Sequence, residues 1–555
     1  MACHAHCQRG YHRPLCRIPI VGHVMVPKNL LAPVRKITPP TEQYHGQNMA
    51  KICDICAIVI LMPNAMKTQV ADNGTTTKYE EELNDWTNKE MAAIGLIGSI
   101  GALFYNRSIE LMLFKNRLID QNVSGILSLH KYAKDVVNKP INIFDSAELA
   151  KLIVEGNYSP SRIDIGRLAY EWQEEKENFE SKSDFINKKL KRFENGHDKP
   201  LVPRDVILFG FGRIGRLAAR ELVENAGKGQ QLRLRAIVSR GNSDANIVKR
   251  AALLRTDSVH GPFKGVIVED LENKALHING QIVHMIESDS PEKIDYEAYG
   301  ITNALLIDNT GAFRDRETFG KHVKAKGVSK ALLTAPGKDF SNIVYGVNHS
   351  DIDLDKEDLY SAASCTTNAI VPVLKVINDK LGIAKGHIET VHAYTNDQNL
   401  LDNMHKHHRR GRSAAINMVI TETGAGKAVT KVIPGLKDKL TANAVRVPTP
   451  NGSLAIMNLT VDRETTREEV NGLLKDAALN GGLVSQIYYS INEELVSNDI
   501  IGNPCCSVFD SPATIIHPDK KNVVLYVWYD NEYGYTRQVI RLAKHIAKVR
   551  RLTYY

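Results

Sequence analysis

The chain has 555 residues, 43% hydrophobic and 24% charged, with a formal net charge of +8. That supplies apolar residue for more than one core, and it excludes a disordered polyelectrolyte, a collagen-like fibre and a disulfide-stapled miniprotein. At roughly 100–200 residues per domain the length allows about three to five units. So small a charge over this length does not point to nucleic acid, and none is expected as a partner. The charge is unevenly placed: residues 1–65 hold seven Lys and Arg against Glu42 and Asp54. Five of the eight cysteines (Cys3, Cys7, Cys16, Cys53, Cys56) also fall there, followed only by Cys365 and the adjacent Cys505 and Cys506. Neighbouring cysteines rarely pair with each other, so no disulfide framework is visible and a reducing, cytoplasmic setting is expected.

Within residues 1–65, Pro14, Pro19, Pro27, Pro33, Pro39 and Pro40 interrupt every helical pattern. Cys3, His4, His6 and Cys7 with Cys53 and Cys56 are zinc-type ligands, but a zinc ribbon needs two close pairs around a short knuckle, and no metal site is expected. The segment reads as a dispensable basic leader, absent from the mature protein if Met66 is the true start. It lacks the Ser-rich amphipathic pattern of a transit peptide, and only Tyr11 and Tyr44 would offer stacking to RNA. Residues 91–104 form an apolar run, too short for the about 20 residues that cross a bilayer, and suit a buried or interfacial helix. Residues 66–200 read as an all-α accessory domain. Ile109, Leu113 and Leu118 recur at helical spacing, as do Leu149, Leu152 and Ile153 behind a cap at Asp145 or Ser146. Trp172, Phe179, Phe185 and Leu190 punctuate a Glu- and Lys-rich stretch and would face a partner element. No catalytic constellation appears there.

After Gly196 and Pro200 the pattern changes to alternating strands and helices, which argues α/β architecture. A short buried strand at 206–209 runs into Gly210-Phe211-Gly212-Arg213-Ile214-Gly215 and a helical pattern. In that setting the first glycine permits a tight turn, the second lets backbone approach a pyrophosphate, and the third lets helix pack on strand. A dinucleotide without a 2′-phosphate usually meets an acid about 20 residues on. Here the second strand ends in Ser239-Arg240, with no carboxylate before Asp244. A hydroxyl and a guanidinium suit a 2′-phosphate, so NAD and NADP both stay open. Further on, Ser364-Cys365-Thr366-Thr367-Asn368 opens an apolar helical run, which places Cys365 where the helix dipole favours a thiolate.

The block SAASCTTNAIVPVLKVIND resembles phosphorylating glyceraldehyde-3-phosphate dehydrogenase, as do ETVHAYTNDQNLLD, RRGRSAAINMVITETGAGKAV, AVRVPTPNGS and VWYDNEYGYTRQV. They occur in that family's order, from about residue 206 to about 541, and the helical extension is similar to a longer bacterial subclass. The resemblance implies a Rossmann-type doubly wound nucleotide domain over 201–364, completed by a C-terminal helix at 536–555, and an α+β catalytic domain over 365–535. It implies that Cys365 attacks the aldehyde and that His392 takes the proton as hydride leaves. Thr395 and Arg446 match residues binding the substrate's C3 phosphate; Ser364, Thr366, Thr423 and Gly424 match the site of the attacking inorganic phosphate. Arg410, within Arg409-Arg410-Gly411-Arg412, resembles a loop bordering the active site and a neighbouring subunit's cofactor. For the cofactor, Asn531 matches the residue fixing the nicotinamide amide, Tyr535 and Ile214 flank the ring, and Thr310, Gly311 and Thr334 resemble further contacts. The partners implied are glyceraldehyde 3-phosphate, inorganic phosphate and three further copies of the chain in a homotetramer.

Two departures stand out. Ser239-Arg240 replaces the expected ribose acid. Asn396-Asp397-Gln398 also resembles erythrose-4-phosphate dehydrogenase, which uses water in place of phosphate and is the alternative reading. A third reading, from another class, is a catalytically retired homologue kept as a binding or regulatory protein; intact Cys365, His392, Arg446 and Asn531 argue against it.

Overall fold

In the computed structural model, which describes residues 77–194, 201–421 and 423–555, the first element is the helix Lys78–Gly101. Thr77 opens it with a capping box: its hydroxyl accepts from Glu80 N, and Glu80 returns a carboxylate to Thr77 N at 2.7 Å. Ala93, Leu96 and Ile100 are buried along it, as the apolar run at 91–104 requires. The zinc-type cysteines, the Met66 start and the rest of the leader lie outside the described residues.

The accessory region continues with the helices Val123–Asp135, Ile143–Glu155, Ile165–Glu175 and Lys182–Leu190. Trp172 and Phe179 pack edge-on against Phe185, the apolar partner contact expected of that stretch. Two readings are corrected. The cap of Ile143–Glu155 is Asn142, whose Oδ1 accepts from Phe144 N at 3.0 Å; Asp145 and Ser146 already lie inside the first turn. The run at 109–118 is not a helix but two short strands, Glu110–Leu113 and Asn116–Arg117, folded back through Phe114 and Lys115 in the left-handed region (φ 41° and 70°). Glu110–Leu113 is buried on both faces, so its residues show no strand alternation and mimic helical spacing. With Ser161–Asp164 and the C-terminal Leu552–Tyr554 they build a four-stranded sheet. The region is therefore predominantly helical, not all-α. Its strands are too short to announce themselves, and one comes from the far end of the chain.

The second sheet has eight strands, in the order Leu359–Ser361, Val328–Leu333, Ala304–Asp308, Arg204–Phe209, Leu232–Ser239, Gln281–Glu287, Ala275–Ile278, Ile267–Asp270. The first six are parallel and the last two extend them as antiparallel strands. Arg204–Phe209 sits centrally, with the helix Arg213–Glu224 rising directly from its C-terminal end, which is the doubly wound plan. The helix Tyr533–Ile546 packs on this domain, burying Tyr535, Val539, Ile540 and Leu542 in its core. It is shorter than the expected 536–555: Lys548 enters the left-handed region (φ 55°), the helix stops, and the remainder becomes the accessory strand.

The third sheet runs Val419–Thr421, Leu440–Val447, Ile383–Ala393, Ser453–Val461, Asn522–Tyr529, Ser507–Asp510, Ile487–Ser490, with Ile515–Ile516 paired to Asn522–Tyr529 off this path. The helix Cys365–Leu381 packs against it, burying Ile370, Val373, Leu374 and Ile377 among Met457, Leu459 and Leu525. This α+β unit follows the last strand of the nucleotide sheet after a three-residue turn.

Candidate active site

Cys365 is the first residue of its helix, and Ser364 caps that helix by accepting from Thr367 N at 3.0 Å. The turn before it is fixed by unusual means. Ala363 holds φ 55°, a conformation costly for a residue with a Cβ, and the Tyr535 hydroxyl donates to its carbonyl at 2.9 Å. Asn368 Nδ2 reaches back to the carbonyls of Ala362 and Ser364 at 2.7 and 2.9 Å. Together these contacts aim the Cys365 side chain at the end of the catalytic sheet.

His392 meets it there. Its Nε2 stands 3.7 Å from Cys365 Sγ. The parallel ladder between Ile383–Ala393 and Leu440–Val447 sets His392 beside Arg446 as register partners. His392 Nδ1 lies 2.7 Å from the Ala393 carbonyl, which accepts only, and 2.9 Å from Arg446 Nη1, which donates only; with the carbonyl as its partner Nδ1 carries the proton, and Nε2 then turns a lone pair toward the thiol. Arg446 Nη1 donates to the same carbonyl at 2.9 Å and to Thr395 Oγ1 at 3.3 Å. Burial, reinforced by the Arg446 cation, pulls His392 down to about 3 and keeps the imidazole neutral. Burial pushes the Cys365 thiol above its ordinary value, while Arg446 and hydrogen bonding at Thr366 act in the opposite sense. The geometry thus sets a cysteine sulfur beside an imidazole, the arrangement needed for nucleophile activation by proton transfer.

The side chains expected to bind anions divide into two groups. Thr395 and Arg446 touch each other directly. Arg446 Nε is buried without a hydrogen-bond acceptor, as suits a guanidinium prepared for an incoming anion. Arg410 is held by Asp397 and by Thr421 Oγ1 at 3.1 and 3.2 Å, and Asp397 also accepts from Thr395. Thr366 Oγ1 is 3.0 Å from the Tyr529 hydroxyl. Thr423 and Gly424 follow the strand Val419–Thr421, a neighbour of Arg446 in the sheet, and open the helix Ala425–Val432, which has no side-chain cap. The sequence reading missed Tyr529, Asp397 and Ser453 as individual residues. Tyr529 packs edge-on against His392 at 5.9 Å between ring centroids. Ser453 accepts from Ala393 N at 3.1 Å and donates to Asn531 Oδ1 at 2.8 Å. Both lie within the blocks AVRVPTPNGS and VWYDNEYGYTRQV, but on strands whose pattern does not single out either side chain.

The nucleotide cradle fits a dinucleotide by its shape. Gly210 sits at φ 93°, and a Cβ on Gly215 would lie 2.3 Å from the Gly210 carbonyl oxygen. A Cβ on Gly212 would meet nothing within 4 Å, so open space lies in front of the uncapped N-terminus of Arg213–Glu224. Ile214 packs against the nucleotide-domain core. The Arg213 side chain is not free for a ligand. It is gripped by Asp257 at 3.1 Å and by Glu532, so its main-chain N–H is what it presents to the cradle. Asp308 accepts from Thr310 N and Oγ1 at 2.7 and 2.6 Å, Gly311 follows at φ 62°, and Thr334 Oγ1 donates to the Asp308 carbonyl at 3.0 Å. Asn531, its Oδ1 engaged by Ser453, keeps Nδ2 without an acceptor among the described residues, as a group meant to grip a carboxamide requires. Tyr535, in contrast, is bound through its hydroxyl to Ala363.

At the ribose end, Ser239 Oγ is buried without a partner and Arg240 is exposed. A carboxylate absent from the local sequence arrives from the adjacent strand: Glu287 is the register partner of Ser239 and accepts from Asn242 N at 3.2 Å. Strand pairing alone brings it there.

Residues 204–316 match the model of the glyceraldehyde 3-phosphate dehydrogenase NAD binding domain, and residues 364–531 match that of its C-terminal domain. A glyceraldehyde-3-phosphate dehydrogenase-like protein of Pseudomonas aeruginosa (strain UCBPP-PA14) is 47% identical over 460 residues, 82% of this chain and 98% of the relative. An alignment of that length exceeds the chain from residue 204 onward, so it takes in the accessory region as well. Glyceraldehyde-3-phosphate dehydrogenase 2 of Trichormus variabilis (strain ATCC 29413 / PCC 7937) is 42% identical over 344 residues, 62% of this chain and 98% of the relative. Glyceraldehyde-3-phosphate dehydrogenase 1 of Bacillus subtilis (strain 168) is 41% identical over 340 residues, 61% and 97% respectively.

Proposed function

The chain belongs to the glyceraldehyde 3-phosphate dehydrogenase family and carries its NAD(P)-binding domain; from that premise we propose that it oxidises glyceraldehyde 3-phosphate to 1,3-bisphosphoglycerate, reversibly, through a thioester on Cys365. The observation that carries the reading is the Cys365–His392–Arg446 constellation, a thiol 3.7 Å from a neutral imidazole that is itself seated on a guanidinium.

In this mechanism His392 Nε2 takes the Cys365 proton as Sγ bonds to the aldehyde carbon, and returns it to the developing alkoxide to complete the thiohemiacetal. Arg446 and Thr395 hold the substrate's phosphate, fixing the aldehyde over Sγ. His392 then removes the hydroxyl proton as hydride departs, leaving the thioester. Bound NAD(P) supplies the hydride acceptor, with the glycine cradle, Asn531, Thr310 and Thr334 placed to hold it. Inorganic phosphate, guided by Ser364, Thr366, Arg410, Thr423 and Gly424, bonds to the thioester carbon; the C–S bond breaks, and Cys365 leaves as thiolate with the acyl phosphate as product.

The deciding experiment follows reduction of NAD and NADP by the purified chain with glyceraldehyde 3-phosphate or erythrose 4-phosphate, with and without inorganic phosphate. Multiple turnovers that require phosphate and favour glyceraldehyde 3-phosphate are expected. Phosphate-independent turnover of erythrose 4-phosphate would move the assignment to that dehydrogenase, and the absence of any turnover to a binding homologue. The homotetramer and the cytoplasmic setting are part of the same proposal; among the described residues no helix is long and apolar enough to cross a membrane.

A further inference from the structure

Away from Cys365 and His392, accessory, nucleotide-domain, catalytic-domain and C-terminal residues together line a cavity of about 300 Å³ that carries six basic side chains: Arg162, Arg537, Arg541, Lys544, Arg550 and Arg551. Only two acidic side chains line it, and both are engaged. Glu110 pairs with Arg117 at 2.9 Å and Arg162 at 3.0 Å, and Glu221 pairs with Arg537. The other cations are less fully paired, and Arg550 lies over the Tyr345 ring at 5.4 Å. Arg541 donates only to the neutral oxygens of Gln538 and Pro504, at 3.0 and 2.9 Å. Lys544 has no acceptor and no ion-pair partner among the described residues. The Arg551 side chain is 5% exposed and 3.8 Å from Glu110, and its Nε and Nη2 make no hydrogen bond.

Gathering these cations is costly for a fold. Arg537, Arg541 and Lys544 follow at i, i+4 and i+7 on one helix, where like charges repel. Burial adds to the cost, since a buried charge is destabilising unless paired. It draws Lys544 down to about 7 and Arg551 to about 10. A ligand with several negative charges would offset the whole set at once.

We propose that this cavity binds a small polyanion carrying two or more phosphoryl groups, held by Arg541, Lys544, Arg550 and Arg551. Guanidinium groups match phosphoryl oxygens in bidentate fashion, and a lysine adds a compact point charge. The cavity lies at the small end of the ligand-pocket range of about 300–1,000 Å³. A chain of a few phosphates fits that size better than a dinucleotide. A neighbouring cavity of about 590 Å³, sharing Arg162, Arg537 and Arg541, gives room for a group attached to such a chain. No residue of the Cys365–His392–Arg446 site lines either one.

The test is calorimetric titration of the full chain with inorganic tripolyphosphate at constant ionic strength, with saturating NAD and sulfate as the control anion. Tripolyphosphate is expected to bind once per chain, at least tenfold more tightly than sulfate. The double variant Lys544→Gln, Arg550→Gln, which removes no side-chain ion pair of the unliganded fold, should weaken binding at least tenfold while the melting temperature without ligand does not fall and the KM for NAD stays unchanged. Equal affinity for sulfate and tripolyphosphate, displacement by NAD, or affinity unaltered in the double variant would each overturn the proposal. A parallel titration with ATP tells the source of the phosphates: tighter binding than tripolyphosphate, lost in the same variant, marks a nucleotide, and equal binding marks the phosphate chain alone.

Discussion

Arg446 is predicted to set the reactivity of Cys365 from across the imidazole. The contact path runs from Sγ to His392 Nε2 (3.7 Å), through the ring, and from Nδ1 to the guanidinium (2.9 Å). This bounds the separation at about 9 Å, so at an effective dielectric of about 20 the attraction between cation and thiolate is roughly 2 kcal/mol, a little over one pKa unit. Arg446→Gln removes that attraction while burial, which already raises the thiol, stays. The sign follows directly. A less stabilised thiolate means a higher thiol pKa, so the rise of reactivity with pH moves to the alkaline side. His392, held near 3, is neutral throughout and adds no ionisation of its own to the profile. The assay is carbamidomethylation of Cys365 by limiting iodoacetamide from about pH 7 to 10, read by peptide mass spectrometry. Cys506, buried and pushed up to about 12, serves as an unreactive reference in the same digest. The midpoint is expected to rise by about one unit in Arg446→Gln and to return in Arg446→Lys. An unchanged or lowered midpoint in Arg446→Gln would refute the electrostatic reasoning.

The remaining predictions address the base, the cradle, the ribose end and the accessory region. His392→Asn should lower kcat by about 10²–10⁴-fold with NAD affinity retained, and stopped-flow single turnovers should show the loss before nucleotide reduction; a loss confined to product release would move the role elsewhere. Gly215→Ala forces a methyl to 2.3 Å from the Gly210 carbonyl oxygen, so it should lower the melting temperature and abolish cofactor binding by calorimetry; wild-type affinity would show that helix and strand can separate freely. Arg240→Ala should weaken NADP binding by about tenfold and leave NAD unaffected, whereas equal affinities before and after would mark Arg240 as a solvated surface residue. Glu110→Gln strands Arg117, Arg162 and Arg551 around a neutral amide and should cost about 3–5 kcal/mol. Hydrogen exchange should find the loosening first in the accessory sheet, and uniform exchange would contradict it. Despite the opposing pull of burial, Arg162 and Arg117 hold the Glu110 carboxyl well below its ordinary value. Its contribution is therefore present at neutral pH and disappears as the pH falls through that lowered value.

What was legible in the sequence was what is local. The glycine loop, the Cys365 helix and the His392 strand each announce themselves within about a dozen residues, because turn, cap and strand signals are short-range. What was not legible depends on pairing between distant segments. Glu287 reaches the ribose end only because its strand runs parallel to Leu232–Ser239. Tyr529 and Ser453 reach His392 and Asn531 through sheet register. The Arg213 side chain turns from the cradle because Asp257 and Glu532 approach from separate elements. In each case the contact partner is dozens to hundreds of residues away, and nothing in the residue's own neighbourhood encodes it.

The same logic explains how the accessory region becomes part of the enzyme. Residues 530–555 run as one continuous stretch from the cofactor end of the site to the accessory sheet. Asn531 faces the cradle, Tyr535 pins the turn before Cys365, Arg537 pairs with Glu221 of the nucleotide domain, and Leu552–Tyr554 closes the four-stranded sheet beside Ser161–Asp164. An edge strand donated in this way covers unpaired backbone groups that the accessory sheet would otherwise expose. Tyr554 adds a hydrogen bond to Glu171, and Arg551 adds charge to the Glu110 cluster. The helix Tyr533–Ile546 packs on the nucleotide core, so the accessory end has a short, covalently continuous path to Tyr535 and the strained Ala363. Residues 66–200 show no chemistry of their own in sequence, yet the strands Glu110–Leu113, Asn116–Arg117 and Ser161–Asp164 join the segment that holds the turn before Cys365.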